Sequence, residues 1–215
     1  MKAKPILAIF IVMLLMAVAV PFITSADTTQ YWYQSDASAT GSGADYIMYK
    51  DSKVGAATDI TISEEGSLVW TADEAAECAV AFPGGSWSYK VYAAATSSAE
   101  EIFLQVGYWD GTTFHPATGG AVFTVTANEY SSGNFTVNPF DVPDTKWLAY
   151  KITNLTGSGD FKIVVNHDDS RIGSPTTDPG YPIPELPTII LLATGLVGLA
   201  GYFGLKRRKR AYVRA

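Results

Sequence analysis

The chain has 215 residues, 12 tyrosines, five tryptophans and one cysteine, with a formal net charge of −6. A single cysteine excludes an intramolecular disulfide, and the length allows one domain of ordinary size between the apolar ends. Residues 27–185 contain seven of the 15 basic residues and all 21 acidic ones, a formal charge of −14. This acidic stretch disfavours nucleic acid and anionic membrane surfaces as partners of that region.

The first 26 residues have the pattern of a secretory signal peptide. Lys2 and Lys4 form a positively charged start, and residues 6–20 form an apolar run. Small residues before the boundary predict cleavage between Ala26 and Asp27. An uncleaved signal helix is the alternative, and in both cases the segment that follows is exported.

Residues 27–169 are predicted to form one β-rich ectodomain. Residues 27–44 are polar and are interpreted as a loose lead-in or a first edge strand. Short β runs divided by Gly, Pro, Asn and Asp follow. The candidate strands are 46–49, 60–62, 68–71, 78–82, 87–94, 102–109, 122–126, 135–137, 146–153 and 161–165.

Several of these runs alternate as half-buried strands do. Trp87, Tyr89 and Val91 share one face, while Ser88 and Lys90 point the opposite way. The pair Asp110-Gly111 follows the next long run and indicates a hairpin turn. About ten short strands with this spacing favour an all-β fold, an antiparallel β-sandwich of jelly-roll type.

The ectodomain lacks a clear catalytic pattern. Its two histidines, His115 and His167, stand far apart and are interpreted as solvated loop residues. Cys78 alternates with Val80 and Phe82 and is therefore expected in the core. No nucleophile–base pair accompanies it, and no cofactor is predicted apart from Ca²⁺.

Three kinds of binding or modification site remain as hypotheses for the ectodomain. Asp168 and Asp169 are the first candidates for a Ca²⁺ site made of loop carboxylates, although no D-x-D-x-D-G loop is present. Trp109, beside the Asp110-Gly111 turn, is the candidate platform for stacking on a sugar. The alternative is that the aromatic residues serve the core, with Trp70, Trp87 and Trp147 filling it. Asn134 and Asn154 begin N-x-T sequons, so both are candidate glycosylation sites.

The last 46 residues are predicted to approach, cross and leave a membrane. Residues 170–185 contain several prolines and are interpreted as an extended stalk. Residues 186–205 carry no charge and, as a helix, span about 30 Å, the thickness of the hydrocarbon core. Residues 206–215 form a basic tail that keeps the C-terminus in the cytoplasm. The stop-transfer cluster is Lys206, Arg207, Arg208, Lys209 and Arg210.

The segment 183–210 resembles a known class of sorting signal. Pro184-Glu185-Leu186, one apolar helix and a terminal basic cluster are similar to the PEF-CTERM signal of archaeal surface proteins and to its bacterial counterpart, PEP-CTERM. The resemblance implies that a membrane-embedded transpeptidase, an archaeosortase or exosortase, recognises the motif and removes the tail. Leu186 departs from the pattern, since the archaeal form has Phe there and the bacterial form has Pro. A membrane anchor that is never cut is the alternative.

Together these features predict a non-enzymatic cell-surface protein with a structural or matrix role. The ectodomain is expected outside the cell and the protein at the cell membrane. A carbohydrate-binding or adhesive module, with surface glycans as partners, is the alternative. A hydrolase is a third hypothesis and requires a cleft with convergent carboxylates.

Overall fold

The computed structural model describes residues 29–94, 100–155 and 159–181. Within these ranges the fold is all-β, because the chain forms 14 strands and no helix. The strands are β1 (Tyr31–Ser38), β2 (Tyr46–Lys50), β3 (Thr58–Ile62), β4 (Ser67–Ala72), β5 (Val80–Phe82), β6 (Gly85–Tyr92), β7 (Glu100–Trp109), β8 (Phe114–Pro116), β9 (Ala121–Val125), β10 (Tyr130–Val137), β11 (Phe140–Val142), β12 (Trp147–Asn154), β13 (Phe161–Val165) and β14 (Arg171–Gly173).

Ten of these strands form one large sheet. Its order is β10-β6-β14-β1-β2-β4-β12-β7-β8, and β9 also pairs with β7. All neighbours are antiparallel except β2 and β4, which run parallel. Two smaller sheets pair β11 with β5 and β13 with β3, and β13 packs against β6 and β1.

The core is rich in aromatic side chains that the strand alternation directs inward. Trp87, Tyr89 and Val91 of β6 are buried, and Ser88 and Lys90 point outward, as their alternation predicts. Trp70 and Tyr150 stack at 5.3 Å between ring centroids, and Trp32 stacks on Trp87 at 6.3 Å. Burial of such side chains is the main stabilising contribution, about 25 cal/mol per Å² of apolar surface.

Each of the ten candidate runs contains or overlaps a strand, but four further strands belong to the fold. β8, β11 and β14 have three residues each, too few to show a period-two pattern. β1 is neither a loose lead-in nor an edge strand, because it lies between β14 and β2. Its position depends on pairing with a segment about 140 residues later in the chain, which local sequence does not indicate.

The boundary predicted between the domain and a stalk at residue 170 is corrected by the structure. β14 (Arg171–Gly173) is an interior strand of the large sheet, between β6 and β1. Tyr181 is fully buried, and its backbone N–H donates a hydrogen bond to Oε1 of Gln30. Residues 171–181 therefore belong to the packed domain.

Two local predictions have different outcomes. The hairpin at Asp110-Gly111 is present, since β7 pairs with β8 and the Asp110 N–H donates to the carbonyl of Thr113. Residues 110–113 connect the two strands and only Gly111 among them has a positive φ, so the turn is not the two-residue type I′ form. Cys78, expected in the core, is exposed because its strand begins later, at Val80.

The predictions for the two ends of the chain lie outside the described residues. They are the signal peptide of residues 1–26 with its cleavage site, the motif Pro184-Glu185-Leu186, the span of residues 186–205 and the basic tail. Across the three described ranges, no helix has the length and apolar character needed to cross a bilayer.

Candidate functional site

A groove of about 280 Å³ lies on the outer face of the large sheet, over β10, β6, β14 and β1. The strand alternation that buries Trp87 and Tyr89 sends every second side chain to this face. The groove is lined by Tyr31, Ser88, Tyr89, Lys90, Ser132, Gly133, Asn134 and Arg171.

Strand register aligns the polar side chains of the groove in a cross-strand row. Lys90 of β6 lies opposite Ser132 on one side and Arg171 of β14 on the other. Arg171 in turn lies opposite Tyr33 of β1. Side chains directly opposite each other are about 5 Å apart at Cβ, so the row presents adjacent cationic and hydroxyl groups.

The guanidinium of Arg171 is held by two aromatic rings. Its Cζ lies 4.7 Å from the centroid of Tyr31 and 5.5 Å from that of Tyr33. Its Nη1 also donates a 2.8 Å hydrogen bond to the Tyr33 hydroxyl. Stacking and one hydrogen bond orient the planar group while leaving further N–H donors for a ligand.

The second cation of the groove is largely neutralised. Lys90 Nζ lies 2.7 Å from Oδ1 of Asp169 and 4.9 Å from the Tyr130 ring centroid. The hydrogen bond from Lys90 lowers the pKa of Asp169, which keeps that carboxylate charged. Lys90, Arg171 and Asp169 therefore leave the groove with one excess positive charge, in a domain that is otherwise strongly acidic.

Because Gly173 of β14 has no side chain, the Tyr31 ring, which forms one wall of the groove, can approach the β14 backbone. A Cβ on this residue would lie 2.8 Å from a ring carbon of Tyr31 and still closer to Oγ of Ser88. The absence of a side chain therefore lets the Tyr31 ring lie beside β14, where it contacts Arg171.

The two aspartates predicted to bind Ca²⁺ are each paired with a lysine instead. Asp168 Oδ2 lies 3.0 Å from Lys53 Nζ, and Asp169 pairs with Lys90. Within residues 29–94, 100–155 and 159–181, no group of three or more His, Cys, Asp or Glu side chains is arranged to hold a metal ion.

The other predicted sites have contrasting surroundings. Trp109 is half-buried, and its indole N–H donates a 2.8 Å hydrogen bond to the carbonyl of Ser42, so its ring packs against a loop. Asn134 is exposed on β10 and lines the groove. Asn154 is completely buried, and its Nδ2 donates to the carbonyl of Gly159 at 2.9 Å.

His115 and Asp110 form a pair outside the groove. His115 Nε2 lies 2.7 Å from Oδ2 of Asp110, and its ring stacks on Tyr108 at 4.6 Å. The other carboxylate oxygen of Asp110 accepts bonds from the N–H groups of Thr112 and Thr113. These contacts lower the pKa of Asp110, with the His115 bond as the largest cause, and they fix the β7–β8 turn. His115 lies on β8 and is therefore not the free loop residue that the sequence predicts.

Sequence reasoning did not identify Tyr31, Lys90 or Arg171 as a site. One signal was present, because Arg171 is the only arginine between residues 27 and 185. An isolated arginine in an acidic domain indicates a specific use, but the residues that surround it come from three other strands.

No known family or curated protein matches this sequence. Its β-rich region is similar to parts of several solved hydrolytic enzymes. A CocE/NonD family hydrolase from Staphylococcus aureus has 8% identity and a TM-score of 0.48, over 68% of this chain and 36% of that one. An aminopeptidase from a marine sediment Thaumarchaeota archaeon has 4% identity and a TM-score of 0.46, with the same coverage. An α-amino acid ester hydrolase has 8% identity and a TM-score of 0.40, over 51% and 25% of the two chains.

These comparisons contradict the prediction of a non-enzymatic protein with a structural or matrix role, and its alternative of a carbohydrate-binding or adhesive module. The three structures named above are hydrolytic enzymes, and this chain covers about a third of the length of the first of them. At such low identities and TM-scores, the likeness transfers neither an activity nor a catalytic residue to this chain.

Proposed function

We propose that this chain is an exported β-domain that binds a small carboxylate-bearing ligand in the groove over β14. The observation that carries the proposal is the oriented guanidinium of Arg171, which lies over the rings of Tyr31 and Tyr33 and lines the groove. A planar guanidinium with free N–H donors matches the geometry of a carboxylate, which it binds through two parallel hydrogen bonds.

The charge of the groove favours a monoanion. Lys90 is paired with Asp169, so one positive charge remains to be balanced. A doubly charged group such as a phosphate would add an uncompensated negative charge within a domain of formal charge −14. A single carboxylate balances Arg171 and leaves the Lys90–Asp169 pair intact.

The walls of the groove define the rest of the ligand. The Tyr31 ring is 38% exposed and offers an apolar contact, while Ser132 and Asn134 provide hydroxyl and amide groups. Because pockets for drug-sized ligands start at about 300 Å³, this groove accommodates a ligand no larger than a capped amino acid. We therefore infer a carboxylate attached to a compact body that packs on the Tyr31 ring.

The domain architecture in this proposal is an antiparallel sandwich of jelly-roll type. Packing of β13 against β6 and β1 supports it, as does the bridge between Ala93 and Ile163. Both small sheets contribute side chains to the same hydrophobic core as the large sheet. In this arrangement the groove lies on the solvent face, opposite the core.

We also propose that the domain is displayed at the cell surface and tethered through residues 186–205. The signal-like residues 1–26, the uncharged run and the basic cluster after it support export and a C-terminal anchor. The resemblance of residues 183–210 to PEF-CTERM signals supports recognition by a membrane-embedded transpeptidase of the archaeosortase type.

The ligand proposal is tested by NMR titration of the full chain in detergent with N-acetylphenylalanine. The uncharged N-acetylphenylalaninamide is the matched ligand. We expect saturable binding of the acid and at least tenfold weaker binding of the amide. Arg171→Gln should weaken binding of the acid about 10- to 100-fold, since a hydrogen bond to a charged group contributes about 1.5–3 kcal/mol.

Lys162→Gln is the matched protein control, because it removes one positive charge from an exposed position on β13, outside the groove. It should leave the affinity unchanged. Arg171→Lys keeps the charge and removes the planar fork, so its affinity should lie below that of the wild type. Equal affinity for acid and amide, or a normal affinity in a folded Arg171→Gln variant, would overturn the proposal.

A further inference from the structure

The two sequons of the chain occupy opposite environments in the fold. Asn134 is exposed on β10, the end strand of the large sheet. Asn154 is fully buried on β12, between β4 and β7. Both have the same acceptor pattern, N-x-T, so the sequence alone does not distinguish them.

At Asn134 the strand presents the whole acceptor motif to solvent. Asn134 and Thr136 are both exposed, whereas Phe135 between them is directed into the core and is 6% exposed. The Asn134 amide makes no hydrogen bond to any residue that the structure describes. A glycan on this amide would therefore displace no contact of the folded domain.

At Asn154 the same modification is incompatible with the fold. Its Nδ2 donates a 2.9 Å hydrogen bond to the Gly159 carbonyl and contacts the Ser63 carbonyl at 3.5 Å. A sugar on this nitrogen would have to occupy closely packed interior space, and its hydroxyl groups would lose their hydration there. A glycan on Asn154 is incompatible with the fold whether it is added before or after folding, since a glycan added early would prevent the native packing.

We propose that Asn134 is the single N-glycan acceptor of the folded domain and that its glycan controls access to the groove. In the transfer, Nδ2 of Asn134 forms a bond to the anomeric carbon of a lipid-linked oligosaccharide. The bond from that carbon to the lipid phosphate breaks, and the phosphate leaves with the electron pair, while the amide proton passes to the membrane transferase. The part of the proposal that concerns the groove rests on the proposed function.

The position of Asn134 is the reason that its glycan would affect ligand entry into the groove. Asn134 lines the groove together with Ser132 of the same strand and Ser88 of β6. The first sugar on Nδ2 would lie at the mouth of the groove and restrict ligand entry from the β10 side. The unmodified protein should therefore bind the carboxylate ligand and the glycosylated protein should bind it more weakly.

The acceptor assignment is tested by mass spectrometry of the full chain from its native membrane fraction. Trypsin separates the sequons, because residues 91–146 contain Asn134 and residues 152–162 contain Asn154. We expect added glycan mass on the first peptide and none on the second. Asn134→Gln and Thr136→Ala should each remove the added mass. An unmodified first peptide, or a modified second peptide in the folded protein, would overturn the assignment.

The control of access is tested separately, by comparing glycosylated protein with unglycosylated protein from a host that lacks the transferase. The N-acetylphenylalanine titration should show at least tenfold weaker binding to the glycosylated form. Equal affinities would contradict the control of access without affecting the acceptor assignment. If neither form binds the ligand while Asn134 carries a glycan, the proposed function and the control of access both fail and the modification site remains valid.

Discussion

The hydroxyl of Tyr181 accepts a 3.1 Å hydrogen bond from the backbone N–H of Leu148. The same hydroxyl donates to the carbonyl of Glu74 at 2.9 Å. One side chain near the C-terminal end of the domain thus connects β12 with the segment that follows β4. Its burial raises the pKa of the phenol, which therefore stays protonated as this donor requires.

Tyr181→Phe should destabilise the domain by about 1–3 kcal/mol, because it leaves the buried Leu148 N–H without a partner. The free energy of unfolding in urea measures this change. Tyr130→Phe is the matched control, since Tyr130 is 57% exposed, and it should change stability by no more than about 0.5 kcal/mol. Equal stability of the two variants would contradict the role given to the Tyr181 hydroxyl.

The Asp110–His115 pair should make stability depend on pH in the acid range. The folded-state pKa of Asp110 is lowered from its ordinary value of 3.8, mainly by the bond to His115. The contribution of ionised Asp110 to the stability of the fold is therefore fully present well above pH 4. It is lost as the pH falls through the folded-state pKa.

The melting temperature measured from pH 6 to pH 2 tests this dependence. The advantage of the wild type over Asp110→Asn should shrink as the pH falls below about 4. Asp144→Asn changes a carboxylate in another turn and serves as the control. A difference between wild type and Asp110→Asn that stays constant over this range would exclude the linkage.

Gly173→Ala should disturb the groove without removing a charge. The new methyl group would be 2.8 Å from the Tyr31 ring, which must move away from β14. We expect weaker binding of N-acetylphenylalanine and a loss of about 1–3 kcal/mol in stability from overpacking. Gly41→Ala is the control, because a Cβ at Gly41 meets no atom within 4 Å. Unchanged binding by Gly173→Ala would show that the Tyr31 position is unimportant for the ligand.

Cys78 should react quickly with a thiol reagent in the native protein. The residue is exposed and is the only cysteine of the chain, so one equivalent should be modified without denaturant. Absorbance after addition of an aromatic disulfide reagent measures the reaction. Reaction that requires urea would contradict the exposed position and would restore the core role expected from sequence.

Prediction from sequence succeeded where a pattern is local. The alternation of β6 identified its buried face, because neighbouring side chains on a strand point to opposite sides whatever the rest of the fold does. The same reasoning failed at Cys78, because the alternation was extended to a residue that lies two positions before the strand begins at Val80. It also failed at residues 171–181, where several prolines indicated a stalk but Tyr181 and β14 are packed in the domain.

The candidate groove could not be predicted in the same way. Its cations are 81 residues apart in sequence and meet only because β14 pairs with β6. The aspartates thought to bind Ca²⁺ gained lysine partners, Lys53 and Lys90, from two distant segments. Long-range antiparallel pairing depends on the packing of the whole core, and no short window of sequence contains that information.

The sequence by itself determined that the described domain is β-rich, because period-two alternation and turn residues act over a few positions. It also identified both N-x-T sequons. Only the tertiary structure decided that the asparagine of one sequon faces solvent at a groove while that of the other is buried. It likewise decided which residues surround Arg171. Exposure and charge pairing arise from contacts between strands far apart in the chain, and those contacts exist only once the core has formed.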